Sequence, residues 1–329
     1  MFVEPLDIPG TTQTFVFSFD DAYSKYFSVA LASLIAHARA DVHYDIVVLH
    51  DCVTEKSMQM LQDMLPDNFS LRFVDVSDSV RELFGSVESH TVAGKWNVAT
   101  FYDLLVPLVM PGYERALYCD CDLVFADDPS ELFETPFDGC ELIAVRDSLA
   151  ITKYMAAYNE FFRNQLLFLR DMAGVTDVSS YINGGVLCFN IPAIDTRGYL
   201  VKVREALAFP QLPTVDQDVL NYVFKGALKL VPQRFNVQVS AIGTIAPEEA
   251  SSQAAIDFTD GLKSPAIVHY TTEKKPWKAE GCAMDDLFWE YAKHSPWHGE
   301  LKADVRRQRI KIQLSRVKRA IKRRIPHQD

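Results

Sequence analysis

From Thr14 to Val76, short apolar runs alternate with stretches whose apolar positions recur every three or four residues. Thr14 to Phe19 (TFVFSF), His43 to Leu49 (HYDIVVL) and Leu71 to Val76 read as strands. Between them, Ser24 is a candidate cap for a helix whose apolar face holds Phe27, Leu31, Leu34, Ile35 and Ala38. Thr54 is a candidate cap for a second helix, with Met58, Leu61 and Leu65 on one side. This β-α-β-α-β order predicts parallel strands joined by right-handed crossovers, hence a sheet covered on both faces.

The pattern continues with a predicted helix from about Val98 to Val109, stopped by Pro111 and Gly112. A strand from Arg115 to Cys119 then runs into Asp120-Cys121-Asp122. Glu141 to Val145 is a further strand, ending at Arg146 and Asp147. Lys153 to Met172 reads as a long helix. Asn183-Gly184-Gly185 leads into a strand from Val186 to Asn190, and Val215 to Lys225 reads as a helix with Gly226 at its end. Ala266 to Val268 is the last strand and delivers His269; beyond Pro276-Trp277 the signal weakens into short helices.

Ligands of open α/β sheets gather beyond the carboxyl ends of the strands. Asp20, Asp120, Asp122, Asp147 and His269 each follow a predicted strand, so one face of one sheet can collect them. Two carboxylates two residues apart at a strand end point the same way and suit a hard divalent cation. A bare Asp-x-Asp is common by chance, and Asp216-Gln217-Asp218 is a second one. The apolar segments on both sides of Asp120-Cys121-Asp122 make the first more telling, because charges between buried segments need a partner. His269 could equally be a satisfied core histidine, Lys275 a surface lysine, Asp20-Asp21 an acidic start to a helix, and Asn183-Gly184-Gly185 a tight turn.

Composition narrows the class. The chain has 329 residues, 48% hydrophobic and 23% charged, as in an ordinary globular protein. The first thirty residues do not read as a secretory signal, and no apolar run reaches the roughly 20 residues of a membrane-spanning helix. Six cysteines without a CxxC pair read as reduced core thiols of a cytoplasmic protein; zinc at Cys119 and Cys121 lacks a second Cys/His pair to close it. The net charge is −11, yet from Leu301 to Asp329 eleven Lys or Arg face only two Asp. An acidic body with a basic tail argues against nucleic acid as partner and for an anionic surface met by the tail alone. There Ile310, Leu314, Val317, Ile321 and Ile325 recur at helical spacing among basic residues, the pattern of an interfacial amphipathic helix. A chain ending near His298 is therefore expected to fold and to lose membrane binding.

In order along the chain, FSFDDAY, FYDLLVP, LYCDCDLVF with ADDPSELFE, YINGGVLCFN, VDQDVLN, RFN and HYTTEKKPW resemble the family 8 glycosyltransferases. These are retaining enzymes of the bacterial lipopolysaccharide and capsule type. The resemblance implies a GT-A-like α/β domain over residues 12–280 with a mostly parallel central sheet flanked by helices. A short helical extension over 281–300 and the basic tail over 301–329 would follow. It implies Mn²⁺ or Mg²⁺ on Asp120, Asp122 and His269. Lys275 would contact the diphosphate of a UDP-sugar, and Asp20, Tyr23, Thr100, Cys121 and Gly184 would help bind that donor. Asp147, Asn183, Asp216 and Gln217 would surround the transferred sugar, with Gln217 beneath the anomeric carbon. The implied reaction moves a hexose, galactose or glucose, to a saccharide or lipid-linked glycan, at the inner face of the cell membrane. Two positions depart from the family: Asp103 stands where an arginine is frequent, and Thr272 where a glycine is usual. A sugar-1-phosphate nucleotidyltransferase and a degenerate, glycan-binding scaffold remain as rival readings.

Overall fold

The computed structural model describes residues 2–84, 98–149, 160–171, 174, 178–209, 212, 214–245 and 252–324. Its strands are β1 (Thr11–Ser18), β2 (Val42–His50), β3 (Phe69–Asp75), β4 (Ala116–Cys119), β5 (Leu123–Phe125) and β6 (Leu142–Arg146). They continue with β7 (Ile182–Phe189), β8 (Leu228–Val231), β9 (Val237–Gln238) and β10 (Ile267–His269). The helices are α1 (Ser24–Ala36), α2 (Glu55–Gln62), α3 (Ser77–Phe84), α4 (Val106–Val109), α5 (Ser130–Glu134) and α6 (Glu160–Asp171). α7 (Thr196–Leu207), α8 (Asp216–Val223), α9 (Gln253–Lys263), α10 (Asp285–Ala292) and α11 (His298–Arg324) complete the set.

Seven strands form one sheet in the order β3-β2-β1-β4-β7-β6-β8; β5, β10 and β9 form a smaller one. The large sheet is parallel except at β7, which runs antiparallel to both β4 and β6. Side chains alternate as a pleat requires. Val16, Val47 and Leu49 join one apolar cluster with Leu104, Val203 and Leu220. Phe15, Phe17, Ile46 and Val48 join another on the opposite face with Phe27, Leu31 and Leu61. Both faces are thus covered, and the strands read as near-continuous apolar runs.

Several local expectations change. Ser24 is the first residue of α1, not its cap; a 3₁₀ turn, Asp21–Tyr23, precedes it and is capped by Asp20, whose Oδ1 accepts from Tyr23 N at 3.1 Å. The segment read as one helix to Val109 is a 3₁₀ stretch, Val98–Leu105, with a single α-turn after it. Asn183-Gly184-Gly185 is no turn; it lies inside β7. Of the helix expected from Lys153 to Met172, α6 is observed, while 153–159 and 172 lie outside the described residues.

The C-terminal region is more ordered than its weak signal implied. α11 is one helix of 27 residues and crosses position 300 without a break. Its first turns bury Leu301 and Val305, and Leu301 packs with Val29, Tyr270, Trp277 and Phe288. Lys25 on α1 pairs with Glu300 at 3.0 Å and Asp304 at 2.7 Å. A chain ending near His298 would therefore open this cluster, which corrects the expectation that it stays folded. Further along, Ile310 and Leu314 are 51% and 56% exposed. The side chains of Val317 and Ile321, and Ile325 entirely, lie outside the described residues. No helix among the described residues is long and apolar enough to cross a membrane.

Candidate active site

Asp120 and Asp122 occupy the link between β4 and β5, one residue beyond the end of β4 and one before the start of β5. That link is pinned on both sides. Asp120 N donates to Gly185 O on β7, and Tyr270 N donates to Asp122 O, each at 2.9 Å. β10 pairs antiparallel with β5, with His269 opposite Leu123. The result brings His269 Nε2 to 3.0 Å from Asp122 Oδ1 and 3.4 Å from Asp120 Oδ2. One ligand atom from each of the three lies within 4.8 Å of the others, the one group of this kind among the described residues.

The donor set of two carboxylates and one imidazole fits a divalent ion of the Mn²⁺ or Mg²⁺ type. Burial works against a charged His269, but Asp122 and Asp120 outweigh it and raise its pKa to about 9. Burial likewise opposes the Asp122 carboxylate, and Lys275 with His269 overcomes this and holds it well below the ordinary range. Without an ion, the proton on His269 and the ammonium of Lys275, which contacts Asp122 and Tyr270 O, supply the positive charge that the carboxylates require. A divalent ion would take over that role and release the proton.

His269 is aimed by a residue to which the sequence reading gave no role. Asn236, of the RFN segment, donates through Nδ2 to Asn183 Oδ1 at 2.8 Å, so its own Oδ1 is an acceptor. His269 Nδ1 lies 3.0 Å from that oxygen and donates to it, which leaves Nε2 for the ion. Gly185 is equally specific. A Cβ there would lie 2.2 Å from His269 Cε1 and 2.7 Å from Asp120 Oδ2, so only glycine lets both ligands close over β7. Each lies in a segment quoted from the sequence, but its role is legible only once β7 and β10 are adjacent to the β4–β5 link.

The sugar-side candidates converge next to the metal group. Because β7 runs antiparallel, its first residues lie at the carboxyl ends of β4 and β6. Asn183 Nδ2 donates to Gln217 Oε1 at 2.9 Å and to Asp147 Oδ2 at 3.3 Å. Gln217 Nε2 donates to Asp147 Oδ2 at 3.0 Å, and Gln217 Oε1 also accepts from Gly184 N at 3.2 Å. Gln238 adds a further donor to Asp147 at 3.4 Å. Asp216 is half-buried, and burial with the charge of Asp120 raises its pKa well above the usual carboxylate range. The other half of the second Asp-x-Asp is structural: Asp218 accepts from Tyr181 OH at 2.7 Å and Thr214 N at 2.8 Å.

On the other side of the metal group, Asp20, Tyr23, Thr100 and Cys121 line a cavity of about 260 Å³ with Asp120 and Asp122. Tyr23 is 41% exposed, packs edge-on against Tyr26, and has its pKa pushed up to about 12 by burial and the Asp122 charge. Cys121 turns its thiol to Ser18 O at 3.3 Å. Two β-branched residues border the site with left-handed backbone, Val215 at φ 58° and Thr272 at φ 68°. Such residues are held there only by their surroundings. Thr272 thus keeps the conformation that the glycine usual at this position would adopt without strain.

The sequence model of glycosyl transferase family 8 matches residues 14–281. A probable glycosyl transferase of Streptococcus gordonii is 25% identical over 81% of this chain, which spans only 33% of that relative. A lipopolysaccharide 1,3-galactosyltransferase of Salmonella typhimurium is 26% identical, covering 61% of this chain and 56% of its own length. Among solved structures, the bifunctional glycosyltransferase WbbM without ligand aligns with a TM-score of 0.77 at 23% identity, over 92% of this chain and 53% of its own. The galactosyltransferase LgtC, solved with donor and acceptor sugar analogues, aligns at 0.66 and 22%, over 87% of this chain and 99% of its own. These likenesses bear out the GT-A-like α/β fold expected from the sequence.

Proposed function

The chain belongs to glycosyl transferase family 8, and from that membership and the geometry above we propose that it moves a hexose, galactose or glucose, from a UDP-sugar to a saccharide or glycolipid acceptor with retention of configuration. The observation that carries this reading is the convergence of Asp120, Asp122 and His269 with Lys275 at their edge. When bound there, Mn²⁺ or Mg²⁺ would neutralise the charge that grows on the departing diphosphate.

The chain's own residues supply the rest. Lys275 meets the diphosphate as a second cation, held in place by Tyr270 O. Asp20, Tyr23, Thr100 and Cys121 bound the nucleoside cavity, and Gly184 allows Asp216 to approach β7, since a Cβ there would lie 3.3 Å from Asp216 Oδ2. Asn183 and Asp147 fix the amide of Gln217 in one orientation, so no reorganisation is needed when charge develops on the sugar. The anomeric carbon becomes oxocarbenium-like, and the oxygen of Gln217 or the carboxylate of Asp216 stabilises it.

The tail supports a place of action. Ile310 and Leu314 are exposed apolar residues beside exposed Arg309 and Lys311. In this reading they hold a cytoplasmic protein on the anionic inner face of the membrane, where a lipid-linked glycan would be met. A chain cut after Gln308 keeps Leu301 and Val305 and is expected to lose sedimentation with anionic vesicles.

The decisive experiment is a panel of nucleotide-sugars with Mn²⁺, scored for slow hydrolysis of the donor. Release of UDP from one of them is expected. No hydrolysis and no binding of any UDP-sugar would sink the enzymatic reading in favour of a glycan-binding scaffold.

A further inference from the structure

Asp120 is the least confined of the three groups proposed to hold the ion. The Asp122 side chain is 15% exposed and touches both His269 and Lys275. His269 is buried and aimed by Asn236. The Asp120 side chain, by contrast, is 37% exposed. A carboxylate free to turn about its last torsion can offer an ion one oxygen or both. The choice changes how many coordination positions are left for a substrate.

Tyr118 removes that freedom. It stands two residues before Asp120, so the two side chains leave the same face of the chain. β4 runs parallel to β1 with Tyr118 opposite Val16, which brings Ser18, two residues on, to the same end of the sheet as Asp120. Tyr118 OH lies 3.1 Å from Asp120 Oδ1 and 2.9 Å from Ser18 Oγ, and all three residues line the cavity. A carboxylate oxygen only accepts, so the phenol donates to Asp120. It has one hydrogen, so from Ser18 it accepts. The direction of each bond from Ser18 through Tyr118 to Asp120 is thereby fixed. The other oxygen, Oδ2, is 3.4 Å from His269 Nε2, and the backbone of Gly185 closes against it, since a Cβ there would lie 2.7 Å away. Asp120 therefore divides its oxygens, Oδ1 to the phenol and Oδ2 to the ion site.

We propose that Tyr118 is a positioning residue that restricts Asp120 to a single ligand oxygen, with Ser18 fixing the phenol, and so favours Mn²⁺ or Mg²⁺ over Ca²⁺. This rests on the metal reading given above. The smaller ions suit octahedral oxygen-rich sites, where a carboxylate bound through one oxygen leaves positions for a diphosphate. Ca²⁺ is larger, takes more ligands and accepts a carboxylate through both oxygens. An Asp120 held by the phenol denies it the second.

Metal titrations without nucleotide test this. Mn²⁺ binding is followed by loss of the electron paramagnetic resonance signal of the free ion, and Ca²⁺ by its displacement of that Mn²⁺. In Tyr118→Phe the affinity for Mn²⁺ is expected to fall about tenfold or more, as for loss of a partner that orients a ligand, and that for Ca²⁺ by about threefold or less. A role in packing alone would lower both alike. Should Tyr118→Phe fail to fold, Ser18→Ala carries the test: the phenol keeps its hydrogen but loses the group that fixes it, and Mn²⁺ affinity should fall about threefold with Ca²⁺ unchanged. Mn²⁺ affinity unchanged, or both ions weakened equally, in whichever variant folds overturns this assignment alone. Failure of the native protein to bind Mn²⁺ overturns the metal reading and this assignment together.

Discussion

The two flanks of the metal group are built differently. On the flank proposed for the nucleotide, Asp20, Tyr23, Thr100 and Cys121 line an open cavity, and Tyr23 is 41% exposed. On the flank proposed for the sugar, Asp147, Asn183, Gln217, Asn236 and Gln238 are buried and bonded to one another. A cavity wall exposed to water can lose a side chain with little harm to the fold. A buried network in which each member satisfies its neighbours cannot, because the remaining partners are left unpaired. Binding and stability should therefore separate on one flank and travel together on the other.

Four changes probe this difference. The largest effect is expected of Asp122→Ala, which removes a ligand from between the flanks. Donor hydrolysis with Mn²⁺ should fall by roughly a thousandfold or more with the circular dichroism spectrum unchanged; near-normal turnover would end the metal assignment. Asn183→Ala comes next. It strips partners from Gln217, Asn236 and Gly185 N at once, so turnover should fall about a hundredfold and stability by about 2–4 kcal/mol in urea unfolding. Loss of activity at full stability would show that the sugar flank is not the coupled unit described here.

Tyr23→Ala should do the reverse. UDP affinity is expected to drop about tenfold, as for loss of one stacking aromatic, with unfolding shifted by less than about 0.5 kcal/mol. The smallest effect concerns Lys25 and Asp304, which do not line the cavity. Lys25 and Arg307 hold the Asp304 pKa below its ordinary 3.8, and Asp304 with Glu300 overcomes burial to raise that of Lys25 above 10.5. A depressed carboxylate contributes above its unfolded value and loses its effect as pH falls through the folded one; a raised ammonium contributes below its unfolded value and loses its effect as pH rises through the folded one. The pair should thus act fully between about pH 4 and 10.5. Lys25→Met is expected to cost about 1 kcal/mol or less at pH 7, a difference that shrinks as pH falls through the depressed Asp304 pKa.

Much of this was legible before the fold was known. The strands from Thr14 to Val76 announced themselves because their apolar runs are buried on both faces, and Asp120, Asp122 and Asp147 because each follows such a run. The Asn183 segment left a tight turn open as an alternative, since two adjacent glycines can form one; it is instead the start of β7. Position 185 must be glycine because His269 and Asp120 leave no room for a Cβ, a demand made by residues distant in the chain. Asn236 was quoted within a motif and given no task, because its task exists only through contacts with Asn183 and His269. α11 was expected as an amphipathic tail from residue 301, separate from a short helical extension over 281–300, because its charged surface hides the two buried positions, Leu301 and Val305, that anchor it.

The pairing of β10 with β5 has a consequence for how such a protein is made. The link that carries Asp120 and Asp122 is fastened by Tyr270 and completed by His269, both synthesised about 150 residues later. A polypeptide still emerging from a ribosome would have its first strands formed and its ion site open along one side. The activity argued for here would switch on only when nearly the whole domain is free of the exit tunnel, which keeps half-made copies from consuming nucleotide-sugar.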